Sequence, residues 1–177
     1  MNYLAIGAPE IERHQELLDG LEDVPIIWNL AAGTAEHPVK GDGSAPRITL
    51  TRLRDVGRFV AAACKLPDGA WPQVFGMVGE TVRIADVTTI IEELSQRRMA
   101  RWTIDRAGLQ KRVDGIEGLG STRDEIVTKM LSQMSLLMLE EQEGLSIMPS
   151  VANELCPDVK PQGVREFLEE VFSTTST

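Results

Sequence analysis

The stretch from Val39 to Ala63 constrains the fold more than any other part of this chain. It opens with Val39-Lys40-Gly41-Asp42-Gly43-Ser44-Ala45-Pro46, where glycine tolerates positive φ, aspartate bonds its own backbone and proline stops a ladder, so a tight turn is expected. Asp42 between two glycines reads as a turn residue before it reads as a functional carboxylate. Arg47 to Thr51 is a short β-prone segment. Asp55 then opens a helix on which Val56, Phe59, Val60 and Ala63 fall at i, i+3, i+4 and i+7, the spacing of an inward-facing stripe. The expected order is a turn, a strand and a buried-face helix.

Around this stretch the chain divides into short elements. Met1 to Pro9 is apolar and ends in a turn, Ile11 to Leu21 suits an exposed helix carrying Leu17, Leu18 and Leu21, and Ile26 to Leu30 reads as a strand or a buried extended segment. Ala31 to Pro46, rich in Gly and Pro, predicts a hairpin or loop, and Lys65 to Pro72 a loop whose Trp71 packs against a neighbouring helix. Val74 to Val78 reads as a buried strand. Ile84, Val87, Ile90, Ile91 and Leu94 mark an amphipathic helix closing at Arg97-Arg98, whose charge suits a helix C-terminus.

Farther on, Arg101 to Ile104 predicts an edge strand, and Asp105 an N-cap for a short helix through Val113. Thr122 and Glu125 have the spacing of a capping box, beginning a helix that carries Ile126, Val127, Met130, Leu131, Met134, Leu137 and Met138 until Gly144. Such a stripe is core packing by its spacing, and its methionines would also suit a pliable wall for a hydrophobic ligand. Gly163 to Phe172 is a last amphipathic helix, and Ser173 to Thr177 a frayed tail. No internal repeat or second domain boundary interrupts 1–177, which is long enough for one domain with a core.

The turn Gly41-Asp42-Gly43, the strand after it and Asp55-Val56-Gly57-Arg58-Phe59-Val60-Ala61-Ala62-Ala63 resemble the second half of the NmrA-like family, atypical short-chain dehydrogenase relatives that include isoflavone-reductase-like enzymes and redox-sensing regulators. The resemblance runs from about Trp28 onward, through Phe75-Gly76-Met77-Val78-Gly79 and the helix at Val87 to Leu94, to Pro157-Asp158-Val159-Lys160-Pro161 with Glu166-Phe167-Leu168. It implies an α/β chain: the C-terminal portion of a Rossmann-like fold, few strands with several amphipathic helices, the N-terminal nucleotide-binding half missing. By the same resemblance Met1 would be an internal residue. Ser95-Gln96-Arg97 departs from the Thr-Gly-Arg-like turn with which the family ends its second helix.

Composition and spacing limit the chemistry. The net charge of −9, with 18 Lys and Arg against 27 Asp and Glu, speaks against a nucleic-acid surface, which needs clustered cations. No run approaches the ~20 apolar residues of a membrane span, and the N-terminus lacks the basic and apolar regions of a secretory signal. Cytoplasm is the expected location. Cys64 and Cys156 form no Cys-x-x-Cys, and His14 and His37 are far apart, so neither a metal nor a disulfide is expected. The glycine cluster Gly115, Gly118 and Gly120 follows a polar run instead of a strand and carries Glu117, so it reads as a loop and no cofactor-binding residue is nominated. Tyr3 has Gly7 four residues on, so the Tyr-x-x-x-Lys pair is absent, and neither Lys40 nor Lys65 matches the catalytic lysine of the isoflavone-reductase-like branch. The catalytic residues are unknown. Arg47, Arg52, Arg54 and Arg58 could face a cofactor phosphate in an intact relative, and otherwise read as a solvated face.

The resemblance implies the substrate-side part of an NAD(P)-dependent oxidoreductase, taking a small hydrophobic or aromatic substrate and silent by itself, with NAD(P) as the cofactor of the intact relative. Two readings stand beside it. One is a dinucleotide-sensing regulator that binds a protein partner. The other is a truncated product without function, which would leave Ile26 to Leu30 and Phe75 to Val78 uncovered.

Overall fold

In the computed structural model, the described residues are Leu4, 26–120 and 122–173. The expectations for Met1 to Pro9, for Ile11 to Leu21 and for 174–177 lie outside them, Leu4 excepted. The architecture is mixed α/β. In chain order come β1 (Trp28–Asn29), β2 (Thr34–Val39), β3 (Arg47–Leu50), α1 (Leu53–Ala63), β4 (Glu80–Arg83), α2 (Ile84–Ser95), β5 (Ala100–Asp105), α3 (Arg106–Asp114), α4 (Arg123–Glu140), α5 (Val151–Leu155) and α6 (Val164–Ser173).

Two small sheets organise these elements: a three-stranded sheet in the order β1-β2-β5 and the antiparallel pair β3-β4. The region expected as a hairpin or loop holds both. β1 and β2 form the hairpin, with Trp28 opposite Ala35, and β2 continues as a six-residue strand parallel to β5, from Thr34 opposite Ala100 to Val39 opposite Asp105. Pro38 hid this strand, because proline in a central strand removes a ladder bond. It is tolerated because β1 reaches only Thr34 and Ala35. The Glu36 amide donates to Ile27 O at 3.1 Å, so by alternation the missing N–H of Pro38 falls on the same side, beyond the end of β1.

The turn at Gly41 to Ser44 forms as expected. Asp42 Oδ1 accepts from the Ser44 amide (2.9 Å) and hydroxyl (2.7 Å), and Gly43 takes the positive φ of 79° that this turn demands. Asp105 caps α3 by accepting from the Gly108 amide at 2.8 Å, and the Thr122–Glu125 capping box is closed in both directions. The α2 helix ends with Gln96 in the left-handed conformation, φ 56°, at the turn where the sequence departs from Thr-Gly-Arg.

Three expectations need correction. Val74 to Val78 is not a strand: Val74 is exposed and the segment is irregular, because Asn153 takes both polar groups of Val78, the amide at 3.0 Å and the carbonyl at 2.8 Å. The β4 strand and the short helix α5 went unforeseen, each too brief for periodicity to register. On α1, Val60 is exposed at 43%, and the buried residues are Asp55, Phe59 and Ala63. Asp55 does not open the helix, which begins at Leu53 with Arg52 as N-cap.

The main core gathers Trp28, Ile48, Leu50, Val82, Ile84, Val87, Ile91, Met138, Phe167 and Leu168 from both sheets and from α2, α4 and α6. Ile27, Trp28 and Leu30 are buried, while Ile26, Phe75, Met77 and Val78 are half-buried. Phe59, Ala152, Cys156 and Val159 form a second cluster that joins α1 to α5. Within the main core, Thr88 Oγ1 accepts from Trp28 Nε1 at 2.7 Å and lies 2.7 Å from His37 Nε2, tying both β1 and β2 to α2.

A polar lock fastens α1 to α6. Arg52, 5% exposed, donates through Nη1 to Gln162 Oε1 (2.6 Å) and Glu170 Oε2 (2.7 Å), and lies 5.4 Å over the Phe167 ring. Buried Asp55 accepts from Arg58 Nη1 through Oδ1 and from the Gln162 amide through Oδ2, both at 2.9 Å. Replacing Asp55 by alanine leaves the Gln162 amide without its acceptor and Arg58 with only Lys160 O, so D55A is expected to lower the unfolding free energy by about 2 kcal/mol in urea titrations. Wild-type stability in D55A would show that the lock is dispensable.

Burial, aided by the charge of Arg101, depresses the pKa of His37. Below the unfolded reference of about 6.5 the unfolded chain therefore binds the proton more readily, and stability falls as pH drops through that window. Above it, the contribution is intact. Comparing urea unfolding of wild type and His37→Gln between pH 7 and pH 5 should show this slope only in wild type; equal slopes would refute it. The lowered carboxylates Glu36, Glu92, Glu141 and Glu170 lose their contributions in a more acidic range, as pH falls from their unfolded value of about 4.3.

Candidate functional site

The α4 stripe does not bury as one face. Its buried residues are Ser132, Ser135, Met138 and Leu139, while Ile126, Met130 and Leu137 are exposed. The two serines sit on the buried side because small side chains let α4 approach its neighbours closely, and the larger apolar residues are turned outward or into a cleft. Met134 and Met138 face that cleft, a space of about 480 Å³ between α4, β3 and the segments around Phe75 and Ser146.

The cleft is lined by Ile48, Leu50, Val56, Phe75, Leu145 and the four methionines Met77, Met134, Met138 and Met148, with Thr49, Thr51, Gly76 and Ser146 completing it. Its walls are pinned by the strand that alternates through it. The Thr49 amide donates to Ser146 O at 2.8 Å, and Thr49 Oγ1 accepts from the Met148 amide at 2.9 Å, holding the 145–148 segment on β3. Thr51 Oγ1 donates to Met77 O at 2.8 Å and accepts from the Gly79 amide at 3.1 Å, holding the opposite segment. The threonine hydroxyls thus spend their bonding capacity on the walls. Ser146 Oγ is buried without a hydrogen-bond partner among the described residues.

The return of the chain from α4 to this wall depends on Glu141, which ends the helix at φ 46°. Burial pushes its carboxyl up, but the Arg47 amide (2.5 Å) and the Lys40 ammonium (2.9 Å) outweigh that and hold it below the ordinary range. Gly76 is required at the other end, where an added Cβ would lie 2.1 Å from Pro149 O.

None of the lining residues titrates, and the residues singled out in the sequence are elsewhere. Asp42 serves its turn and Asp55 the polar lock. The four arginines have different surroundings: Arg52 is buried against Glu170, Arg58 bonds Asp55 and Lys160 O, Arg47 is exposed on β3, and Arg54 is exposed on α1, where its charge also acts on Glu170. The expectation of a solvated face therefore fails for Arg52. Gly115 to Gly120 is a loop after α3, clamped by Lys129 Nζ on Ile116 O (2.7 Å) and on Gly118 O. Trp71 packs as expected on a neighbouring helix, its Nε1 donating to Ala63 O at 3.1 Å and its ring stacked on Phe75, though half of it is exposed.

Cys64 is exposed and Cys156 buried, both free. Among the described residues no group of three His, Cys, Asp or Glu is placed to hold a metal ion, and no helix is long and apolar enough to cross a membrane. Compared with family models, curated proteins and solved structures, the chain matches none of them.

Met77, Met148, Thr49, Thr51 and Ser146 were not foreseen as site residues; the one sequence signal for them is the concentration of methionine in segments that close on one strand. Gly76→Ala is expected to push Pro149 away and lower stability by about 1–3 kcal/mol. Thermal unfolding checks this, and an unchanged value would refute the wall's dependence on that close approach.

Proposed function

We propose that the methionine-lined cleft binds a small apolar or aromatic molecule, and that this chain is the substrate-side part of an NmrA-like NAD(P)-dependent oxidoreductase. The observation that carries the binding reading is the cleft's composition: apolar walls of adaptable thioethers, whose threonine hydroxyls are already satisfied and demand nothing of a ligand. Such a wall accepts apolar surface without taking a partner from either threonine, and Ser146 Oγ has none among the described residues to lose.

The family assignment rests on the resemblance of the Gly41 to Ala63 stretch and of the segments after it. In that reading NAD(P) is bound by a nucleotide half beyond the described residues, hydride chemistry comes from the cofactor, and the cytoplasm is the compartment. This chain supplies ligand positioning and exclusion of water, since no lining residue can carry a proton. The same lack of a titratable group favours a second reading, a dinucleotide-sensing regulator that recognises a protein partner without turnover.

Titration of the full chain with N-phenyl-1-naphthylamine, NADPH and NADH tests the proposal. Saturable binding of the naphthylamine is expected, lost in Met134→Asp, together with a rise in unfolding temperature of the liganded chain. NADPH and NADH are expected to have no effect. Failure of the apolar probe to bind would remove the cleft reading, and saturable binding of either dinucleotide would remove the substrate-side reading. A partner peptide that binds while the apolar probe does not would favour the regulator.

A further inference from the structure

We propose that β5 is a self-association edge, on which two copies of this chain pair antiparallel about a two-fold axis at Thr103 and join their three-stranded sheets into one. β5 is the outer strand in the order β1-β2-β5, and no strand among the described residues pairs its other side. The Ala100 amide donates to Gly33 O at 2.8 Å, toward β2. By alternation Arg101 and Thr103 turn their backbone groups outward, as Asp105 does its amide, its carbonyl being engaged as the N-cap of α3. An unpaired edge of this kind is a template for another strand, and proteins that avoid such pairing place charged residues, lysine above all, or proline there. Ala100-Arg101-Trp102-Thr103-Ile104-Asp105 has no lysine or proline, and its two charged residues, Arg101 and Asp105, are of opposite sign.

The occupant is identified by the sequence of the edge itself. A two-fold axis perpendicular to the sheet keeps each side chain on its own face, so the paired residue numbers must sum to an even number. Centred on Thr103, the pairs are Arg101 with Asp105, Trp102 with Ile104, and Thr103 with its own copy, the first two occurring twice. These are an opposite-charge pair, an aromatic with a β-branched residue, and Thr with Thr, the three kinds of cross-strand pair that stabilise an antiparallel ladder. The strand is complementary to itself in charge and in shape class.

The side chains are available for this pairing. Arg101, Trp102, Thr103 and Asp105 are all exposed, Trp102 at 47%, in a strand whose neighbours leave only Ile104 half-buried, and Asp105 already accepts the Gly108 amide through Oδ1. Trp102 is held in place by its Nε1 donating to Glu36 Oε2 at 2.8 Å, and Glu36 is itself fixed by two bonds from Arg112, so the ring loses little freedom when covered. Arg101 already bonds Glu92. A guanidinium with five donors serves that partner and an incoming Asp105 together.

Sedimentation velocity of the full chain across a concentration series tests the proposal. Wild type is expected to form a reversible dimer that weakens in high salt, because its end pairs are ionic. Thr103→Lys and Thr103→Glu place like charges opposite each other at the axis, so each alone is expected to weaken the dimer about tenfold, whereas an equimolar mixture of the two restores it. A wild-type chain that stays monomeric throughout overturns the proposal. So do variants that dimerise as wild type does, or a mixture no tighter than either variant alone.

Discussion

The buried guanidinium of Arg52 is the constraint to which the rest of the fold is fitted. A charge removed from water must be paired, and Arg52 finds its partners more than a hundred residues later, at Gln162 just before α6 and at Glu170 within it. Asp55, one turn along, takes the Gln162 amide. Together they fix the start of α1 against α6 and the segment that leads into it. The first amide of α6, at Val164, is satisfied in turn by Glu80 Oε2 of β4 at 2.7 Å. With α6 held at both contacts, Phe167 and Leu168 close the core over Ile84, Val87 and Ile91 of α2. Hydrophobic burial supplies the larger share of the stabilisation, while these polar contacts choose which helix lies where.

What was legible in the sequence follows from which signals are local. Asp105, the Thr122–Glu125 box and the Asp42 turn act within three residues of themselves, and each forms as read. The α2 stripe spans more than two turns, and burial of Ile84, Val87 and Ile91 repeats its period. Elements decided by distant partners were not legible. β2 escaped notice because Pro38 argues against a strand until β1 is known to stop short of it. Val74 to Val78 looked like a strand because its apolar run says nothing of Asn153, whose amide replaces the ladder at Val78. On α1, the apolar spacing predicted Val60 inside, and the polar lock rotated Asp55 there instead.

The cleft shows the same division. Helical spacing drew attention to the methionines of α4, but only Met134 and Met138 reach the cleft, and Met77 and Met148 come from irregular segments that no periodicity marks. The threonines that fix those segments are unremarkable in sequence. Their role arises because residues of β3 meet backbone of the 77–79 and 146–148 segments. In the binding reading proposed above, a wall built this way would select by volume and shape rather than by hydrogen bonds.

The cleft and the β5 edge are mechanically linked through β2. α4, which carries Met134 and Met138, packs on β2 as well as on α3, and β2 is the strand to which β5 is paired along its whole length. His37 fastens the same strand to α2 through Thr88. A second sheet joined at β5 would brace β2 from its far side, so the position of α4 over the cleft would depend less on the short hairpin with β1, which pairs two residues only. The physical basis is a two-sided strand in which pairing on one side limits how far the helix packed on its face can move.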